Sequence, residues 1–286
     1  MNENGEPSRT ALMAAAARAA HLIVDDPPLI FADTLAHALL ADRAEELLAY
    51  HRLHGAHLIL SGVRAAAVTR ARHTEDRLAD AVRRGVAQYV ILGAGLDSYA
   101  YRAGAGAPVQ VYEVDHPATQ AWKRTALAGA GIAVPDTVTF VPVDFENDAL
   151  LDGLTRAGFD PSRPAFVSWL GVTMYLTREG IGRTLEVIGG FAPGSQVVVD
   201  HMLPEELRDE AGQAYVEGIM PMAAEQGEPW LSMLGPEEMA ALLAEHGLTA
   251  VEHAGQRQSV DAALWTRTDS LRPSALSMLT RAVVQS

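Results

Sequence analysis

Ala87-Gln88-Tyr89-Val90-Ile91-Leu92 is a short apolar run that passes directly into Gly93-Ala94-Gly95. A strand that ends on G-x-G lets a ligand approach the backbone where a Cβ atom would block it. It is also the first of a series. Val109 to Val114, Val138 to Val143, Ala165 to Leu170 and Gln196 to Val199 are further short apolar runs. Helix-like stretches separate them, at Pro117 to Ala130, Asp148 to Ala157 and Arg178 to Gly189. Apolar strands alternating with helices predict βαβ units and an α/β fold, with a parallel sheet covered on both faces. Toward the end, Glu237 to His246 reads as another helix, Leu248 to His253 and Ala262 to Arg267 as a closing antiparallel pair, and the tail beyond Pro273 as a short helix.

The segment before the first strand reads differently. Ala11 to Ala20 is alanine-rich and helical, with Ser8 or Thr10 as its cap and Asp25-Asp26-Pro27-Pro28 as its stop. Helices over Asp33 to Tyr50 and His57 to Arg84 follow. The expected organisation is a helical lid over residues 1–84 and a core over 85–286. The Met-rich stretch 202–234 is an insertion that caps the substrate.

The glycine turn continues as Leu96-Asp97-Ser98. A dinucleotide fingerprint would place its third glycine where Ser98 stands, and the Asp97 carboxylate opposes a pyrophosphate at the helix entrance. The cationic amino acid end of S-adenosylmethionine suits that position better. Val111-Tyr112-Glu113-Val114-Asp115 ends in an acid 22 positions after Gly93. Such an acid accepts hydrogen bonds from both ribose hydroxyls; it also serves as a cap for the helix that starts at Pro117. Asp144 follows the third strand and is placed to accept from an adenine amino group, with Phe145 packed on the ring.

These residues resemble the leucine carboxyl methyltransferase family, and most of all its bacterial branch of tetracenomycin-type polyketide O-methyltransferases. The blocks are Ser8-Arg9-Thr10-Ala11, Arg70-Ala71-Arg72, Gln88 to Arg102, Tyr112 to Pro117, Val143-Asp144-Phe145 and Ser168 to Thr177. The resemblance runs from Ser8 to Leu243. It implies a doubly wound, Rossmann-like sheet of seven strands with an N-terminal helical lid. It also implies S-adenosylmethionine as cofactor, with S-adenosylhomocysteine as product, held by Gly93, Gly95, Asp115, Asp144 and Phe145. An arginine for the donor carboxylate is implied at Arg70, with Arg72 and Arg18 as further candidates; a guanidinium clamps a carboxylate bidentately. Eukaryotic members carry a glutamate for the donor amino group where this chain has Leu170, so the amino group must find backbone carbonyls or another acid. That departure also argues against a protein C-terminus as acceptor.

Methyl transfer to a carboxylate needs alignment and desolvation; transfer to a phenol also benefits from a general base. His201, at the end of the fifth strand, is the base candidate, and Tyr175 is a second catalytic candidate. Trp169, Tyr175, His201, Met202, Tyr215, Met222 and Trp230 are expected to line an apolar acceptor pocket. His51, His54 and His57 stand three apart, but no acid or cysteine completes a metal set, and none is expected.

Composition narrows the partners. The formal net charge is -14, which repels nucleic acid and anionic membrane surfaces. There are 0 cysteines, so thiolate chemistry is excluded and a reducing, cytoplasmic setting is expected. No apolar run is long enough to span a bilayer. The expected activity is O-methylation of a small carboxylate or phenol, such as a secondary metabolite, by a monomer or homodimer. The alternatives are a donor-binding protein that performs another reaction and a nicotinamide-dependent oxidoreductase.

Overall fold

The computed structural model describes residues 8–103, 109–144, 149–225 and 227–285. Helices α1 (Arg9–Val24), α2 (Ala36–Leu39), α3 (Ala44–His54) and α4 (Leu58–Arg83) precede the sheet. Then come β1 (Gln88–Leu92), α5 (Tyr99–Arg102), β2 (Gln110–Asp115), α6 (Pro117–Gly129), β3 (Val138–Pro142), α7 (Leu150–Arg156) and β4 (Ala165–Trp169). The chain continues through α8 (Arg178–Gly189), β5 (Gln196–Met202), α9 (Glu210–Glu225), α10 (Pro236–Glu245), β6 (Leu248–Gly255) and β7 (Ser277–Val284). The sheet has seven strands in the order β3-β2-β1-β4-β5-β7-β6. Strands β1 to β5 pair in parallel, and β7 runs antiparallel to both β5 and β6. The order reverses between β1 and β4, and ligands of such sheets bind outside the strand ends at that point.

Both faces are covered, and the strand period of two divides them. Tyr89 and Ile91 of β1 join one cluster, with Leu12, Ala15 and Ala19 of α1, Leu48 of α3 and Leu78 of α4. Val90 and Leu92 point the other way, into a cluster with Leu154 of α7, Leu185 of α8 and Leu242 of α10. The N-terminal helices therefore share one continuous core with the sheet. The alanines of α1 make this possible, because their short side chains let the helix lie close to the strand ends: a Cβ on Gly95 would stand 3.2 Å from the Cβ of Ala11.

Three local expectations are corrected. The stretch Asp33 to Tyr50 is not one helix. It breaks into α2, a 3₁₀ turn and α3, with Ala41 at a φ of 50°. Ala262 to Arg267 does not pair with β6; Ala262–Trp265 is a 3₁₀ turn, and the pairing strand is β7. The tail beyond Pro273 is thus the seventh strand and not a helix: Leu279, Ala282 and Val284 are buried against the sheet's two faces, and only extended backbone satisfies the partners β5 and β6. Ser8 stands at the N-cap of α1 but makes no capping bond; its hydroxyl donates to Glu228 Oε1 at 2.7 Å.

Candidate functional site

The strand ends open into two chambers that share a wall. The larger, of about 530 Å³, is lined by the glycine turn, Asp115, Asp144 and the segment Leu170 to Val172, with α1 and α4 above. The smaller, of about 180 Å³, is lined mainly by apolar side chains of α4, α9 and the end of β5. Thr10, Arg70, Gly171 and Tyr175 line both.

Local geometry explains the glycines. Gly93 and Gly95 sit at φ of 64° and 46°, a region that L side chains rarely adopt. A Cβ on Gly93 would also stand 2.4 Å from Val172 Cγ2. Asp115 locks this turn: Oδ2 accepts from Gly95 N at 2.6 Å, and Oδ1 from His116 N at 2.7 Å. Burial raises its pKa, against the two amides, which lower it. Each oxygen keeps a lone pair for a hydroxyl. The acid is therefore both scaffold and candidate ribose acceptor. Asp144 lines the same chamber. Phe145 lies outside the described residues.

The three arginines separate. Arg70 lines both chambers, and its Nη1 donates to Asp200 Oδ2 at 3.0 Å. Its guanidinium lies on Gly171, where a Cβ would come within 2.9 Å of both Nη1 and Nη2. Arg18 lines the large chamber, with Nε donating to Asp33 Oδ2 at 2.8 Å and Nη2 to the carbonyl of Leu96 at 2.7 Å. It braces the glycine turn against α1. Arg72 is a correction: it lines neither chamber. Its Nε donates to Asp76 at 2.8 Å, one turn on along the solvent side of α4, because a two-residue step on a helix rotates it away from Arg70.

Two further expectations are overturned. His201 reaches neither chamber. The residue is 1% exposed, with Nδ1 2.8 Å from the carbonyl of Leu234 and Nε2 2.8 Å from Thr280 Oγ1. Nδ1 must donate to that carbonyl, so Nε2 accepts from Thr280 and no basic nitrogen is left over. Burial lowers its pKa to about 4. His201 is a structural link between β5 and β7, not a base. Trp169 is fully buried in the cluster on the opposite sheet face and lines neither chamber. Leu170, one residue on, lines the large chamber.

The other residues expected at the acceptor lie together. Met202, Tyr215, Met222 and Trp230 all line the small chamber, together with Met174 and Ile219. Tyr175 stands where the chambers meet; burial and the nearby Glu228 keep its phenol protonated. Within residues 202–234 lies α9, whose Tyr215 packs on Gly62 of α4. The histidine series is dispersed: His51 is buried against Arg64 and His57 caps α4. Among the described residues no group of three or more histidines and acids is placed to hold a metal ion, and no helix is long and apolar enough to cross a membrane.

Sequence reasoning missed an ionic cluster at the large chamber. Asp33, Glu75 and Arg102 line it beside Arg18. Arg102 reaches Glu75 and, at 3.5 Å, Asp33, and its guanidinium lies 4.8 Å from the ring of Phe31. Burial pushes Glu75 up to about 7 despite Arg102. Burial also raises Asp33, but Arg18, the Ser98 hydroxyl and Arg102 outweigh it and hold that acid low. These residues come from α4, α5 and the loop after α1, so no sequence spacing marks them.

A glycine turn with a buried acid beside it thus opens into a large chamber that meets an apolar one. The leucine carboxyl methyltransferase family model matches residues 11–189. The chain belongs to the leucine carboxyl methyltransferase family. The candidate S-adenosyl-L-methionine-dependent methyltransferase YktD of Bacillus subtilis strain 168 is 33% identical over 288 residues, covering 93% of this chain and 94% of its own. Another candidate S-adenosyl-L-methionine-dependent methyltransferase, from Mycolicibacterium paratuberculosis K-10, is 31% identical and covers 86% and 87%. Among solved structures, a candidate methyltransferase from Thermobifida fusca YX superposes with a TM-score of 0.61 at 18% identity, over 99% of this chain and 97% of its own. A DUF574 family protein from Streptomyces avermitilis gives 0.64 at 16%, over 99% of both chains. At those identities the likeness is one of fold alone.

Proposed function

We propose that this S-adenosylmethionine-dependent methyltransferase moves the methyl group to an oxygen of a small, largely apolar acceptor, a carboxylate or a phenol such as those of secondary metabolites. The observation that carries this reading is the pair of chambers. The larger, which carries the more polar lining, fits a nucleoside and its amino acid tail, and an apolar one opens onto it at Arg70, Gly171 and Tyr175. The cofactor supplies an electrophilic methyl group on a sulfonium.

The chain's own residues do the rest. Gly93 and Gly95 give close backbone approach, Asp115 accepts from the ribose, and Asp144 accepts from the adenine edge. Arg70 uses the N–H groups not given to Asp200 to hold the donor carboxylate. Arg18 acts indirectly, by fixing Leu96 and hence the turn. Met202, Tyr215, Met222 and Trp230 exclude water from the acceptor and align it, which is the main requirement of an in-line displacement. Residues 8–30 close over the donor, with Ser8 fastened to Glu228 across the chamber mouth.

Incubation with methyl-labelled S-adenosylmethionine and a panel of aromatic acids, phenols, amines and activated carbon nucleophiles, read by mass, tests this. Label on a carboxylate or phenolic oxygen is expected. Label confined to nitrogen or carbon refutes the reading.

A further inference from the structure

Among the described residues lining the apolar chamber, one is an acid. Asp200, at the end of β5, lines the small chamber and not the large one. Its Oδ2 accepts from Arg70 Nη1 at 3.0 Å, and its backbone carbonyl accepts from Thr173 Oγ1 at 2.6 Å. Its Oδ1 is buried and has no hydrogen-bond partner among the described residues, and the side chain is 2% exposed. A buried carboxylate oxygen with an empty lone pair is costly unless a ligand completes it. The groups around the chamber that bear or shed charge are Arg70, Tyr175, Tyr215 and, exposed at its edge, Arg9; the remaining lining is mostly apolar.

We propose that Asp200 is a catalytic residue whose Oδ1 takes the proton of the acceptor, so that the acceptor is a hydroxyl compound of the phenol type and not a carboxylate. This rests on the oxygen-methylation reading and narrows it. The acceptor oxygen forms a bond to the methyl carbon while the carbon–sulfur bond breaks and its electron pair stays on sulfur. The hydroxyl proton passes to Asp200 Oδ1 and leaves to water with the product. As the new bond forms, the hydroxyl proton becomes strongly acidic, so the Asp200 carboxylate can accept it. A carboxylate acceptor has no proton to give. It would bring a second negative charge against Asp200, whose partner Arg70 is already matched, and beside the donor carboxylate as well. His201, next along the strand, is turned into the β5–β7 seam and offers no alternative base.

The test is calorimetric titration of the S-adenosylhomocysteine-loaded full chain with 2-naphthol and 2-naphthoate, a pair that differs in the reacting group. Wild type is expected to bind the naphthol at least about tenfold more tightly, the scale of one good charge-assisted hydrogen bond. Asp200→Asn, which keeps size and shape, is expected to erase that preference. It should also cut labelled methyl transfer to the naphthol by about 10²–10⁴; the amide oxygen can still accept from Arg70, so S-adenosylhomocysteine should still bind. No preference in wild type, whether both ligands bind or neither does, overturns the proposal even if the variant fails to fold. So does an unchanged preference in the variant, or a loss of S-adenosylhomocysteine affinity, which would assign Asp200 to the donor. Label on the naphthoate alone, equal in variant and wild type, sinks the Asp200 role and leaves oxygen methylation standing. Label only on nitrogen or carbon acceptors sinks the reading beneath it.

Discussion

Gly171→Ala separates backbone strain from damage to the site. Gly171 sits at φ 70°, and a Cβ there would meet the Arg70 guanidinium at 2.9–3.0 Å. A left-handed non-glycine residue costs roughly 1–2 kcal/mol. At about 2–4 °C per kcal/mol for a chain of this class, the melting temperature should fall by roughly 2–8 °C. The guanidinium is the far end of a flexible side chain, so it will move away, leaving Asp200 Oδ2 and, on the proposed assignment, the donor carboxylate without their partner. Losing a charge-assisted hydrogen bond costs roughly 1.5–3 kcal/mol, or about a 10- to 150-fold weaker complex. Calorimetry with S-adenosylhomocysteine measures the second effect and thermal melting the first. Gly131→Ala is the control: φ there is 67°, but nothing lies within 4 Å of its Cβ. It should melt earlier by a similar amount and bind normally. A folded Gly171→Ala chain with wild-type donor affinity would refute the placement of Arg70 at the donor.

Four other outcomes are expected. His201→Ala should lower stability by about 2–4 kcal/mol through a buried void and two lost hydrogen bonds, with the acid-side limb of any pH–rate profile intact; loss of that limb in a folded variant would restore His201 as base. Because burial holds this imidazole down at about 4, its contribution is present above pH 6.5 and is lost as pH falls through 4, so the wild-type–variant gap in denaturant titrations should shrink over that window. Glu75 is the opposite case. Its pKa is raised to about 7, so its contribution is full below pH 4.5 and is lost as pH rises through 7. Glu75→Gln should therefore compare better with wild type at pH 8 than at pH 4.5, and melts showing the reverse order would contradict the assigned burial. Asp115→Ala should weaken donor binding by roughly 1.5–3 kcal/mol and also loosen the turn. Hydrogen exchange should show faster exchange at Gly95 and His116, and unchanged exchange there would mean the acid does not lock the backbone. Addition of S-adenosylhomocysteine to wild type should protect residues 8–30, and equal protection with and without it would remove the lid.

Much of the fold was legible because its signals are local. An apolar run of five or six residues entering a glycine turn, and an acid ending the next run, are properties of neighbouring residues. They brought Gly93, Gly95 and Asp115 to one place in the sequence reading and in the structure. The helical front of the chain and the alternation behind it were likewise local, and the family blocks tied them together. What failed were the decisions that depend on which way a residue faces. In β4 and β5 every residue is buried, since the sheet is covered on both sides, so no alternation of apolar and polar marks the two faces. Trp169 and Leu170, or Asp200 and His201, are then equivalent on paper, and only the strand's register puts Leu170 and Asp200 at the chambers and sends Trp169 and His201 elsewhere. The partners that settle these roles are also remote in sequence: Thr280 for His201, 79 residues on, and Arg70 for Asp200, 130 residues back. The sequence by itself determined the alternating architecture, the glycine turn and the acid beside it, because backbone sterics and strand period act over a few residues. The tertiary structure alone decided which acid meets which arginine and which histidine is consumed by a seam, because those contacts exist only after β7 closes the sheet and α1 and α4 fold over its strand ends.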